Sequence, residues 1–330
     1  MKHDTSYQHW EGAHLGIWRR RAVIAANGLR SCLQVKWMRY LITLCWAGCL
    51  VQVTLLFCLG QLLIADSVVV QWLGNLNPQL QAIARALVGW LEQHPEISVR
   101  TTYNLLFYFF SANLLTFTLI AIALAMPHLI TRDLSSNAII VYSSKAIGRF
   151  DYLLGKVMTL YGLMTLTWLG PVCVAWFLGN LLSTNWHFFW HSRVALGHAL
   201  VYALCSMTIL SVLALGISAI SVRAKATVSI WIAFWVLGNA LVPIGLHTKP
   251  WLKFFSFSFD LEQISLAIFR LKNDFDLATT NIPFFGDMLR GLRRQANSVL
   301  QTPEPGAAIW GLAVMLALAA LIVWRKVKPE

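Results

Sequence analysis

Along this chain, polar and apolar positions fall into long blocks instead of repeating with the period of a soluble helix. Six stretches carry no Asp, Glu, Lys or Arg: those bounded by Arg39 and Asp66, Arg100 and Arg132, Lys156 and Arg193, Arg193 and Arg223, Lys225 and Lys249, and Glu304 and Arg325. A soluble helix keeps one polar face for water, so it does not stay charge-free and apolar all round for this length. A helix that crosses a bilayer needs about 20 apolar residues to cover roughly 30 Å of hydrocarbon. The pattern predicts an all-α polytopic membrane protein with six transmembrane helices, over about 40–64, 104–126, 157–182, 196–220, 227–246 and 307–324.

Three segments between and before these spans have patterns of their own. Within residues 1–39, Leu15, Trp18, Ala22, Ala25, Leu29 and Leu33 recur at helical spacing, with Arg19, Arg30 and Gln34 mostly elsewhere on the wheel. That is the pattern of an amphipathic helix lying on the cytoplasmic membrane surface. Arg19, Arg20 and Arg21 precede no short apolar core with a small-residue cleavage site, so a removable signal peptide is not expected. Residues 40–330 then form one membrane domain, with no internal repeat.

The first insertion, 65–103, has Asn77 as a cap and Pro78 at a first helical position, followed by an apolar face of Leu80, Ile83, Ala84, Leu87, Trp90 and Leu91 that stops at His94-Pro95. Gln71, Asn75, Asn77, Gln79 and Gln81 make its charge-free part too polar to span. In the second insertion, 247–306, Asp260 and Gln263 suggest a capping box for a helix carrying Leu261, Ile264, Ile268 and Phe269. A second amphipathic piece there has Met288, Leu289, Leu292 and Val299 apolar and Arg290, Arg293 and Arg294 basic. Both insertions are expected to carry amphipathic extracytoplasmic helices.

Charge sets the expected orientation. With the amino terminus inside, sixteen Lys and Arg fall on the cytoplasmic side: seven before the first span, four in 127–156, two between the fourth and fifth spans and three at the end. The first two outer loops hold only Arg85, Arg100 and Arg193, while the last holds seven, but long loops weigh little in the positive-inside rule. Both termini are therefore expected in the cytoplasm. The net charge of +12 does not point to nucleic acid, because the basic residues sit beside apolar runs, where anionic lipid and topology account for them. Of the six cysteines, Cys32 lies in the amino-terminal region and Cys45, Cys49, Cys58, Cys173 and Cys205 lie in apolar runs, so no disulfide framework is expected.

Several chemistries are excluded by what is missing. No P-loop is present: Gly155-Lys156-Val157 has Phe150 where the first glycine belongs and no hydroxyl after the lysine. His187 and His191 are four apart, but without an acidic neighbour they read as part of an aromatic interfacial belt with Trp186, Phe188, Phe189 and Trp190. No catalytic, cofactor or metal site is assigned, and the chain is not expected to be an enzyme. A pump driven by an ion gradient would normally hold a carboxylate inside a span, and none of the six runs has one. The polar residues left inside, Gln52, Gln61, Asn113, His198 and Asn239, suit a lipophilic or amphipathic cargo, with Gln52, Asn113, His198 and Asn239 as candidates for lining its path.

The loop 127–156 is the most specific feature. It carries Arg132, Asp133, Lys145, Arg149, Asp151 and Lys156, a polar turn at Ser136-Asn137, and short apolar pieces. Such a segment is expected to form short helices on the cytoplasmic face, with charges for a partner and apolar residues for its groove. With Arg149, Asp151, Tyr152, Leu153, Leu154, Gly155 and Lys156 leading into the third span, the chain resembles the type-two ABC transporter permeases, bacterial exporter-like systems whose ATPase is a separate chain. The six-span layout, the amphipathic start and the helical insertion before the last span extend the resemblance over the whole chain. Asn137, where many relatives have Gly, and the large first outer loop depart from it.

The resemblance implies a permease subunit of a bacterial inner membrane, working with a second permease, identical or paralogous, and two copies of an ATPase that binds the ATP. It also implies export, with Arg132, Asp133, Lys145, Arg149 and Asp151 as the interface that couples to the ATPase. A gradient-driven secondary transporter, a membrane scaffold or sensor, and a membrane-embedded enzyme remain as alternatives.

Overall fold

The computed structural model describes residues 16–62, 71, 75, 95–136, 148–182, 187–273 and 303–327. The helices are α1 (Ile17–Leu33), α2 (Lys36–Leu62), α3 (Pro95–Ala125), α4 (Ile130–Ser135), α5 (Arg149–Met164), α6 (Gly170–Leu181), α7 (His187–Ser218), α8 (Ala224–His247), α9 (Phe257–Phe269) and α10 (Pro305–Lys326). A π turn, Thr165–Leu169, fuses α5 and α6 into one rod, and no strand occurs among the described residues. Six rods are long and apolar enough to cross a membrane: α2, α3, α5 with α6, α7, α8 and α10. The chain is an all-α polytopic membrane protein.

Proline sets several of the ends. Pro95 and Pro305 stand at the first helical position of α3 and α10, where a missing N–H costs nothing. Pro95 therefore opens the second rod, about two and a half turns before residue 104. Pro127 breaks that rod into the 3-10 turn Met126–His128. At Thr165–Leu169 the wider turn frees a carbonyl, and Trp46 Nε1 donates to Leu166 O at 3.1 Å.

α3 and α7 pack against each other at the centre and are the most buried spans; α8 is the least buried. Lipid tails are as apolar as the side chains, so these helices associate through close packing and polar contacts, with no expulsion of water to drive them. Trp231 illustrates both: fully buried, it donates from Nε1 to Leu119 O at 3.1 Å and packs on Phe257.

α1 docks on α5 through small residues. A Cβ on Gly155 would stand 2.8 Å from Ile24 Cγ2, and one on Gly28 would stand 2.5 Å from Thr159 Oγ1, so only glycine permits this approach. The inward stripe is Arg21, Ile24, Ala25, Gly28, Leu29 and Cys32. Trp18 and Ala22, expected on the same face, are exposed: close packing selects the small residues and leaves the indole for the surroundings.

The segment after α8 turns back along it. Lys253 lies against Gly245, Ser256 against Gly238, and Phe257 against Trp231 and Phe234. α9 then climbs back, until Phe269 meets Tyr108, His198 and Tyr202. Leu119, the level at which α9 starts, and Tyr108, the level at which it ends, are eleven residues apart on α3, about 16 Å at helical rise. The helix expected in 247–306 is thus a re-entrant limb inside the bundle. Its cap differs from the expected one: Ser256 accepts from Phe259 N at 3.3 Å, which puts Asp260 inside the first turns, and Gln263 Oε1 accepts from Glu304 N at 3.1 Å. No Asp260–Gln263 capping box forms.

The helix expected over 77–91, Met288 to Val299, Lys145, and the side chains of His187 and His191 lie outside the described residues.

Candidate functional site

α4 is a single six-residue turn of helix between the second and third spans. A helix this short leaves most of its N–H groups without an internal partner. Ser218, the last residue of α7, supplies one: its Oγ accepts from Ile130 N at 3.0 Å and Thr131 N at 3.2 Å. Thr131 Oγ1 donates to Ser218 O at 2.9 Å and lies 3.1 Å from Thr227 Oγ1 on α8. Thr131, Ser218 and Thr227 are all fully buried, so this hydroxyl cluster ties α4 to the ends of two spans in a dry place, where each bond counts for more than in water.

A buried ion pair adds the third span. Lys156 Nζ lies 2.7 Å from Asp133 Oδ2 and donates to Leu129 O at 3.0 Å and His128 O at 3.4 Å. Tyr152 donates its hydroxyl to the same Asp133 oxygen at 2.7 Å. All three ammonium hydrogens are used, and the carboxylate has both a cation and a neutral donor. Such a pair is costly to break, because removing one partner strands the other charge.

The amino-terminal helix clamps the start of the third span from the other side. Arg21 Nε donates to Asp151 Oδ1 at 2.7 Å. Arg149, two residues earlier on α5, instead lies over the ring of Trp324 on α10, its Cζ 4.2 Å from the centroid. The guanidinium Nε and Nη2 are buried there and make no hydrogen bond.

The five residues expected to meet a partner therefore have separate fates. Arg132 is exposed, Asp133 is buried and paired, Asp151 is paired with α1, Arg149 rests on the last span, and Lys145 is outside the described residues. The structure joins Asp133 to Lys156 and Tyr152, but it does not gather the charges on one open surface. No pattern in the sequence joins Lys156, Thr131, Ser218 and Thr227 as a group. The lysine was visible in the sequence as the one cation at the mouth of the third run; the hydroxyls, common in any helix, gave no signal.

The four residues expected along a path stand on separate helices. Gln52 is buried and its Nε2 has no partner; Asn113 donates to Phe109 O at 2.9 Å on its own helix and is exposed. His198 Nδ1 is 3.1 Å from Asn104 Oδ1, and Asn239 Oδ1 accepts from Ser256 Oγ at 2.9 Å. Two of the four thus brace the bundle near the re-entrant limb. No group of three or more potential metal ligands occurs among the described residues.

Asp260, at the start of α9, reads in the sequence only as half of a capping box. It is fully buried, and neither carboxylate oxygen has a hydrogen-bond partner. Phe254, Phe255, Phe257 and Phe259 just before it were the available signal of burial. No protein-family model matches this chain, and no curated protein sequence matches it.

Proposed function

We propose that this chain is the permease subunit of an ATP-driven transporter in a bacterial inner membrane, with both termini cytoplasmic and the ATPase on a separate chain. The observation that carries the reading is the construction of α4. It offers the exposed Arg132 to a partner, and behind that residue it is tied to α7 and α8 through Ser218 and Thr227 and to α5 through the Asp133–Lys156 pair. A displacement of α4 is passed to three spans at once. ATP shifts the spans only if α4 contacts the closed and open ATPase dimers differently. Asp133 acts as a positioning residue in this scheme, and Arg132 as the contact.

The working unit would hold two permeases and two ATPases, and the apolar interior suits export of a lipophilic or amphipathic substrate. The test is purification of the chain with its ATPase from native membranes and assay of substrate-stimulated hydrolysis. Arg132→Glu is expected to abolish stimulation while expression and the thermal midpoint of the permease stay unchanged. Full stimulation in that variant contradicts the assignment.

One observation favours a second reading, transport driven by a proton gradient. The six charge-free runs argued against a carboxylate inside the bundle, yet the fold carries Asp260 into it on the re-entrant limb. Proton-driven flux by the chain without any ATPase is the outcome that would select this reading.

A further inference from the structure

The re-entrant limb meets the last span at one point without slack. An added Cβ on Gly311 of α10 would stand 2.7 Å from Phe254 O and 2.9 Å from Asp260 Oδ2. Glycine is thus required for the limb to seat, and the Asp260 carboxyl lies on the glycine backbone. An ionised carboxylate there would have neither water nor a cation. The nearby cation, Lys253, is committed to Glu304 at 2.8 Å and lies over the rings of Phe254 and Phe259.

The other charged or titratable described side chains on the helices packed against α9 are Glu262 on α9 itself, Arg193, His198, Tyr202 and Cys205 on α7, Arg100, Tyr103 and Tyr108 on α3, Lys225 and His247 on α8 with Lys249 just beyond it, and Arg325 and Lys326 on α10. None forms an ion pair or hydrogen bond with Asp260. The carboxyl belongs to no membrane span, and burial alone pushes its pKa up, to about 8.

We propose that Asp260 is a proton-binding site that latches the re-entrant limb to the last span: the limb seats on Gly311 with the carboxyl neutral, and it leaves when the proton passes to water. The latch is independent of the energy source of the chain, since it follows from burial and contact alone. Its sign is fixed by linkage. Between the solvated value of 3.8 and about 8, the seated form binds one proton more than the released form. Each pH unit upward in that window lowers the ratio of seated to released limb about tenfold; below and above the window the ratio is flat. Acid favours the seated limb and alkali favours its release.

The experiment is hydrogen–deuterium exchange on the full chain in lipid nanodiscs from pH 5 to pH 8, corrected for intrinsic exchange. Protection of Phe257–Phe269 is expected to fall about tenfold per pH unit, while the amides of α3 and α7 show no such slope. Asp260→Asn, which cannot ionise, should remove the slope and keep the limb protected. Gly311→Ala should leave the limb unprotected at every pH. A flat profile in the native chain, or the same slope in Asp260→Asn, overturns the latch.

Infrared spectra of native protein carrying carbon-13 aspartate give a reading that needs no variant. A neutral-carboxyl band is expected at pH 6 and should be gone well above pH 8; its absence at pH 6 overturns the proposal.

Discussion

The two ends of the last span face opposite electrostatic situations. At the Trp324 end, the carboxylates of Asp133 and Asp151 each have a cation, Lys156 and Arg21, and the intervening backbone is tied by Ser218. Thirteen residues away, about 20 Å along the helix, Gly311 faces Asp260, which is more deeply buried than either carboxylate and has no hydrogen-bond or ion-pair partner. Paired charges in a low-dielectric setting hold one arrangement, because every alternative strands a charge. An unpaired carboxyl holds its arrangement only while it carries a proton. One end is built to move as a block, the other to let go.

The contrast can be broken most severely at Asp133. Asp133→Ala leaves the Lys156 ammonium buried without its counter-charge, a loss of about 3–5 kcal/mol, read as a lower unfolding midpoint in nanodiscs. Asp133→Ala combined with Lys156→Met should recover most of it; an additive double variant would mean the two charges act separately. Ser218→Ala removes the acceptor for two buried N–H groups and should cost about 1–3 kcal/mol, with faster amide exchange confined to α4 and its neighbours. Trp324→Ala takes away the ring beneath Arg149. The ring is largely exposed, so a cost of about 0.5–1 kcal/mol is expected for that contact. Lys253→Met breaks the pair with the exposed Glu304 and should change stability by less than about 1 kcal/mol. A larger loss would mean that Lys253 supports the re-entrant limb beyond its surface pair.

The spans were legible because a charge-free run of this length has few other uses, and the Pro127 end of the second followed from a local rule, whereas Pro95, which reads as the stop of a preceding helix, instead opens that span. The re-entrant limb was not legible. A thirteen-residue helix with two acids, Asp260 and Glu262, in its first turns reads the same whether it lies on a surface or inside a bundle. What separates the two is the surroundings of Asp260, which sequence spacing does not supply. At the Arg132 end the charges themselves stood out in the sequence, but not their pairing. Arg21 reaches Asp151 across 130 residues, and Ser218 reaches Ile130 across 88, contacts that only the packing of α1 on α5 and of α7 on α3 creates. Asp133 read as an interface charge for the same reason: nothing in the loop reveals that Lys156, at the start of the next rod, folds back to claim it.

The central claim is that the bundle is moved from outside, through α4, by a nucleotide-consuming partner. Its most direct test is reconstitution of the chain in sealed vesicles, with and without the co-purified ATPase, followed by the concentration of a fluorescent amphipathic solute across the membrane. Uphill movement is expected only with both ATPase and ATP, and it should vanish with Arg132→Glu. Uphill movement by the chain alone under an imposed proton gradient would contradict it.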